Sequence, residues 1–448
     1  MSTRTSALSL ITRAMLAATA LTLAGTGMAH AACAEGLTPL AQRDTPSGDA
    51  SAPRLTLLNL IQAAEQRSKA VGAAKLLADA ARSDIEETKA GALPTATLSA
   101  AIGPSGDQME GQKTRNQFQV RPGLTVSAML YDSGRNSHLT QWRTSLAEAA
   151  NQGQISTTEQ VALQTVILSF ERDRYRLHAQ VWSQYAAKVC TLVDSLEQIV
   201  ATDRGRGSEL VQARKTLQQV LLSRAQSMTQ LRLTETRLRR LVGDSLPEAN
   251  GLSALMLQTP ALPELQSQAT GASSIAQLAA QADAADSLAR ATDAGNKVQA
   301  NWLVSVAKNA TGDHAGNWNA GITINVPLLN PAAAPASTSA RLRAEAARVQ
   351  RAESLDALQN RLAEVHEQAS AALVRARDTV TVLKSSERVR DDTIAQWQQL
   401  GKRSLFDVIS AEGDHFNLRI AYVDALHDGQ ESIALLYSLA GSVKLPLN

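Results

Sequence analysis

Gly401-Lys402-Arg403-Ser404-Leu405-Phe406-Asp407-Val408-Ile409-Ser410-Ala411 interrupts two very long helical patterns, and its reading decides the fold. Glycine ends one helix and serine starts the next, so the stretch reads as the tip of a helical hairpin. A second break of the same kind runs Gly205-Arg206-Gly207-Ser208-Glu209-Leu210-Val211-Gln212-Ala213. Glu209 and Asp407 hold matching places, as do Ala213 and Ala411, each pair 198 residues apart. Gly123 to Gly321 and Gly243 to Gly441 repeat that offset. The chain therefore reads as an internal duplication.

Working outward from the tips, helical patterning runs without proline from Arg135 to about Asp203. That is a rod of roughly 105 Å at 1.5 Å per residue. A second rod spans about Pro335 to Leu400. Its stripe of Leu355, Leu358, Leu362, Val365, Ala369, Leu373, Ala376, Val380 and Leu383 steps by three and four, the coiled-coil spacing. Shorter helices return from each tip, over Ser208–Val242 and Ser404–Ala440. One helix is expected over Leu55–Ala92, ended by Gly91 and Pro94, and another over Ser274–Val298.

Between helix and rod the period changes to two. Ala96, Leu98, Ala100 and Ile102 share one face, and Thr95, Thr97 and Ser99 the other. After a Gly/Asp/Gln-rich loop over Gly103–Asn116, Leu124, Val126, Ala128 and Leu130 alternate with Thr125, Ser127 and Met129. The second half repeats this with Trp302, Val304 and Val306, then Trp318, Ala320, Ile322, Ile324 and Val326. Four strands with one apolar face suit a piece of an outer-membrane barrel. Closed barrels need at least eight, so one chain cannot close one alone.

Arg4 and Arg13, the apolar run Ala14–Ala24 and Ala29-His30-Ala31 have the three parts of a secretory signal. Cys33 follows closely, but His30 stands where a lipoprotein signal usually carries Leu. Cys190 reads as an ordinary packed residue, and two cysteines make neither a disulfide framework nor a metal set. The net charge of +2 and pI near 8.5, with acids and bases mixed, give no ground for a nucleic-acid partner. Six histidines after residue 100 (His138, His178, His314, His366, His415, His427) lack metal-ligand spacing. Gly205-Arg206-Gly207 lacks the strand context of a nucleotide loop, and Arg232, Arg237, Arg239 and Arg240 read as a solvated helix end. No enzyme chemistry, cofactor or metal is expected.

Ala90-Gly91-Ala92-Leu93-Pro94 before the first strand, Leu130-Tyr131-Asp132-Ser133-Gly134-Arg135 after the second, and Gly401-x-x-Ser404-x-x-Asp407-Val408-x-x-Ala411 at the tip carry a family resemblance. In that combination the chain resembles the TolC-type outer-membrane efflux and type I secretion channels over about Leu55–Gly441. The resemblance implies a mainly α fold with a small β part: two tandem repeats of a long coiled-coil helical hairpin plus β-hairpin. These would form an oligomeric α-barrel continuous with a transmembrane β-barrel. It also implies a homotrimer in the outer membrane, reaching through the periplasm to an inner-membrane transporter and an adaptor protein. Residues 1–31 would be the signal peptide, 32–54 a flexible segment, 55–243 and 274–441 the repeats, 244–273 the connector and 442–448 a tail.

The resemblance further implies a pore constriction at Asp407 and Arg403. Ser410 stands where some members carry a second carboxylate, which leaves a single acidic ring. Three copies of Asp407 around an axis would select cations, although a carboxylate there equally suits a helix N-terminus. Gly205, Gly207, Ser208, Glu209, Gly401 and Ser404 mark the periplasmic tips. Phe118, Tyr131, Trp302 and Trp318 are candidates for an aromatic belt facing lipid, where ordinary packing also accommodates each singly. The reading from another class is a non-channel periplasmic coiled-coil adaptor or scaffold.

Overall fold

A computed structural model describes residues 51–107, 115–247, 251–310, 316–400 and 402–447. The signal segment, Cys33 and Gly401 lie outside the described residues. Two helices open the described chain, α1 (Ser51–Arg67) and α2 (Lys69–Ala90). The single helix expected over Leu55–Ala92 is thus broken at Ser68. Its backbone leaves the helical region and its side chain accepts the Val71 N–H, capping α2.

Strands β1 (Thr95–Asp107) and β2 (Arg115–Tyr131) follow, then rod α3 (Arg135–Thr202) and return helix α4 (Gly207–Val242). A short helix α5 (Leu262–Ala269) precedes α6 (Ser273–Gly295), β3 (Gln299–Lys308) and β4 (Gly316–Asn325). Rod α7 (Ala333–Leu400) and return helix α8 (Leu405–Ala440) complete the fold. Both rods are 68 residues long and both return helices 36. Their starts and ends (135 and 333, 202 and 400, 207 and 405, 242 and 440) all differ by 198, so the repeat holds at the level of whole elements. Each rod also starts alike. Asp132 accepts the backbone N–H of Gly134, and Asn330, 198 residues on, accepts that of Ala332.

Two expectations need correction. Of the loop expected over Gly103–Asn116, residues 103–107 and 115–116 are strand, with pairs running from Gly103–Gln119 to Asp107–Arg115, and 108–114 lie outside the described residues. The ladder is made by backbone groups, so polar side chains did not end it. The Pro-rich connector also contains structure: α5 begins with Pro263 in its first turn. Leu252, Leu255, Leu265 and Ala269 there are buried.

The four strands form one antiparallel sheet in the order β1-β2-β3-β4. Below it the helices make a wall. At the sheet end α3 packs against both α2 and α6, and α6 against α7; at the tip end α3 lies between α4 and α8, and α8 packs against α7. Near the tips Val189, Val193 and Leu196 of α3 meet Ala213, Leu217, Leu405 and Phe416. Midway, Leu57, Ile61, Phe170 and Ala434 form a second core around Leu252 and Leu255. A third joins α5 to Leu362, Val365 and Ala369 of α7 and Ile433 and Leu436 of α8. The coiled-coil stripe of α7 is thus buried in its middle. Farther along, Val380 is only partly covered, and Val349, Val374 and Val389 on the same helix are exposed. Cys190 is buried in the core near the tips and is disulfide-bonded, so it is not the simple packing residue the sequence suggests.

Candidate functional site

The register of the sheet decides what each face carries. Ala96, Leu98 and Ile102 of β1 stand opposite Val126, Leu124 and Val120 of β2. Leu124, Val126 and Ala128 stand opposite Val306, Val304 and Trp302 of β3. These in turn face Trp318, Ala320 and Ile322 of β4. Paired residues in a ladder share a face, so the apolar residues of all four strands form one continuous surface. The other face carries Thr97, Ser99, Thr125, Ser127, Asn301, Ser305, Asn319 and Thr323. Leu98, Ile102, Trp318, Ile322 and Ile324 are exposed by 65–79%. An apolar band this long is not left in water by a soluble monomer.

Phe118, Tyr131, Trp302 and Trp318 all belong to this face, at three heights. Tyr131 pairs with Ala300, two residues from Trp302 at the helix end of the sheet, whereas Trp318 is level with Leu124 and Phe118 lies farther out. A register shift between Met129 and Tyr131 explains why Tyr131 joins the apolar face. The sequence alternation had placed Leu130 there instead; a bulge reverses the alternation beyond it.

The two tips differ in construction. At the second, Ser404 accepts the Asp407 N–H, and the Asp407 carboxylate accepts the Ser404 N–H at 3.0 Å, a reciprocal capping box. The Ser404 hydroxyl also reaches that carboxylate at 3.0 Å. These bonds from Ser404, with the Arg403 charge nearby, hold the Asp407 carboxyl below its ordinary range. Arg403 is exposed and its guanidinium donates to Gln396 Oε1 at 3.3 Å; Ser410 is exposed. At the first tip Ser208 does not cap. Asp203 accepts the Gly205 N–H at 2.9 Å and starts a single tight turn, Arg204–Arg206, before α4 begins at Gly207. Ser208 falls inside the first helical turn, and Glu209 pairs with Arg206 at 2.7 Å.

A polar seam between α3 and α8, buried at its centre and unforeseen in the sequence, joins the two repeats. Arg174 reaches Asp428 at 2.6 Å and Glu431 at 3.3 Å, the latter an ion-pair distance without hydrogen-bond alignment. His178 meets Asp424 at 3.0 Å. Asp173 and His427, both fully buried, lie 3.3 Å apart. The Gln430 amide donates to the carbonyls of Leu252 and Leu255. Its sequence trace is Asp173-Arg174-x-Arg176-x-His178 and His427-Asp428-x-Gln430-Glu431, charge where a helix in contact on several sides should be apolar.

Burial pushes the Glu431 carboxyl up to about 7, against the lowering pull of Arg174 and His427 and with repulsion from Glu171 and Asp428. Its unfolded value is near 4.5. The folded chain therefore holds a proton that the unfolded chain releases. The resulting stabilisation is full below pH 4.5, declines as pH rises, and is lost above about 7. Glu431→Gln should raise the unfolding temperature at pH 8, by a free energy of about 1–3 kcal/mol, and change it little at pH 5. Equal shifts at both pH values would contradict this assignment.

No family model matches the chain. Outer membrane protein TolC of Escherichia coli (strain K12) is 32% identical over 122 residues, covering 25% of this chain and 24% of that protein. The chain thus matches about a quarter of its curated relative's length. Among solved structures, CusC superposes with a TM-score of 0.77 at 18% identity, over 87% of this chain and 92% of that one. VceC of Vibrio cholerae gives 0.74 at 18% identity, over 87% and 97%. CmeC of Campylobacter jejuni gives 0.72 at 13%, over 86% and 85%. These superpositions cover 86–87% of this chain and 85–97% of the others, and the chain has the fold of the TolC-type outer-membrane channels.

Proposed function

We propose that the chain is one protomer of a trimeric outer-membrane channel-tunnel. It would export small molecules or proteins across periplasm and outer membrane, together with an inner-membrane pump and a periplasmic adaptor. The observation that carries this reading is the four-stranded sheet, apolar on one face, polar on the other and open at both edges. In lipid each unpaired backbone group at an edge costs several kcal/mol, so the edges of β1 and β4 must be met by other copies. Three copies supply twelve strands, within the range of outer-membrane barrels. The helical wall below has the same need: Leu76 and Leu77 of α2, Leu222 of α4, and Leu342 and Val349 of α7 are exposed. Among the described residues no helix is long and apolar enough to cross a membrane; in this reading the apolar sheet face is the surface offered to lipid. The names of CusC, VceC and CmeC's structures speak of outer-membrane location or transmembrane channel formation, which supports the same role here.

In this reading Asp407, with Arg403 beside it, forms a single acidic ring at the periplasmic end. Gly205, Gly207, Ser208, Glu209, Gly401 and Ser404 belong to the tips that meet the adaptor. The bonds that lower the Asp407 carboxyl keep it ionised throughout the neutral range. Purified protein should form conducting channels in planar bilayers with cation selectivity, and Asp407→Asn should move the reversal potential in a salt gradient toward zero. Unchanged selectivity would remove the ring, and recovery of the protein in soluble periplasm would remove the channel. A periplasmic adaptor or scaffold has no use for the exposed apolar sheet face.

A further inference from the structure

Beside the second tip, α3, α7 and α8 line a half-open cavity of about 210 Å³. Leu192, Ile394, Trp397 and Val408 supply much of its wall, with Glu412 among them. Glu412 is only 7% exposed, and its Oε2 atom is buried with no hydrogen-bond partner. Buried carboxylate oxygens are almost always bonded, so this one is set to receive a donor that the chain itself does not provide.

We propose that the cavity binds a small organic monocation, an ammonium group on an aromatic or alkyl body, with Glu412 as its counter-ion. The cations nearest to Glu412 leave the position open. Arg390 is already met by Asp391 at 2.8 Å and Glu387 at 3.7 Å. Lys188 lines the cavity but is exposed, and no ion pair joins it to Glu412. Burial raises the Glu412 carboxyl above its ordinary range despite the pull of Arg390 and Lys188, as expected of an acid lacking a close counter-charge.

The wall selects the class of ligand. Trp397 gives a cation an aromatic surface, to which ammonium groups are attracted. Thr191, Ser195 and Gln398 add neutral polar groups to the lining, but Glu412 is its one carboxylate and Lys188 its one cation, a poor set for a metal ion that takes several oxygen ligands. Room for roughly seven waters, at ~30 Å³ each, suits one ring with a short tail. An anion would meet the Glu412 charge directly.

The inference stands apart from the channel reading, because it is measured as binding to the purified full-length chain in neutral detergent. Phenethylammonium chloride is the probe, titrated calorimetrically, with 2-phenylethanol as its uncharged counterpart. Saturable binding of the amine is expected, at least tenfold tighter than the alcohol. Glu412→Gln should weaken amine binding at least tenfold with the unfolding temperature kept. Ser195→Leu fills the cavity from the exposed side of α3 with the carboxylate intact, and should abolish binding too. No saturable binding to the unaltered chain, equal binding of the alcohol, or amine binding by Glu412→Gln within twofold of the unaltered chain would each overturn the proposal. Should Glu412→Gln fail to fold, retained binding by Ser195→Leu overturns it alone.

Discussion

Leu124→Arg should abolish accumulation of the assembled protein in the outer membrane, while Thr125→Arg, one residue along β2, should leave most of it in place. Leu124 pairs with Leu98 and with Val306, which pairs with Trp318, a row of the apolar face that spans all four strands. It is 47% exposed, so little in the protomer shelters it. An arginine facing the middle of the bilayer costs about 2–4 kcal/mol. Three copies would lose about 6–12 kcal/mol, comparable to the whole stability of an ordinary domain at roughly 5–15 kcal/mol. Thr125 pairs with Thr97 and Ser305 on the polar face, where a long cation enters water. Sucrose-gradient separation of outer membranes followed by immunoblotting measures both variants. Equal loss, or the reverse order, would mean that the apolar face does not meet lipid.

That contrast rests on two kinds of information that the sequence carried unequally. Which residues share a face within one strand is a local property, and the period-two pattern shows it. Which strands meet is not local: β2 pairs with β3 although 167 residues separate Tyr131 from Gln299. The bulge before Tyr131 was hidden for the same reason, because only the partner strand defines it. The tips divide along similar lines. Ser404 and Asp407 form their cap within four residues, and the Ser-x-x-Asp spacing announces it. At the first tip Asp203 and Ser208 compete for the same role within one turn, and the backbone chose Asp203. The repeat lengths were legible because both repeats place the same number of residues between rod start and tip, with no insertion in either. The seam between α3 and α8 was not, since Asp173 and His427 are 254 residues apart and charges on long helices ordinarily face water.

Asp173→Ala should cost about 3–5 kcal/mol of stability, the usual penalty for removing one partner of a buried ion pair. Asp173 is fully buried. One carboxylate oxygen accepts from the Arg176 guanidinium at 2.8 and 3.2 Å, and the other lies 3.3 Å from His427 Nε2. His427 is held on its other side, with Nδ1 at 2.8 Å from the Val423 carbonyl. Truncation therefore takes the carboxylate from Arg176 and leaves Nε2 facing a void in the interior. The loss falls where the two repeats join, next to Phe170, Val166 and Ala434 of the middle core. Opening α3 from α8 there would expose that apolar cluster, so faster proteolysis between the repeats should accompany the lower unfolding temperature. Asp173→Asn keeps the shape and an acceptor oxygen, and should lose much less. Asp173→Leu combined with His427→Leu should recover a good part of the loss, because apolar residues of similar volume often replace a buried pair at little cost. A loss below about 1 kcal/mol for Asp173→Ala, the level of an exposed pair, would show that the seam is not what holds the repeats together.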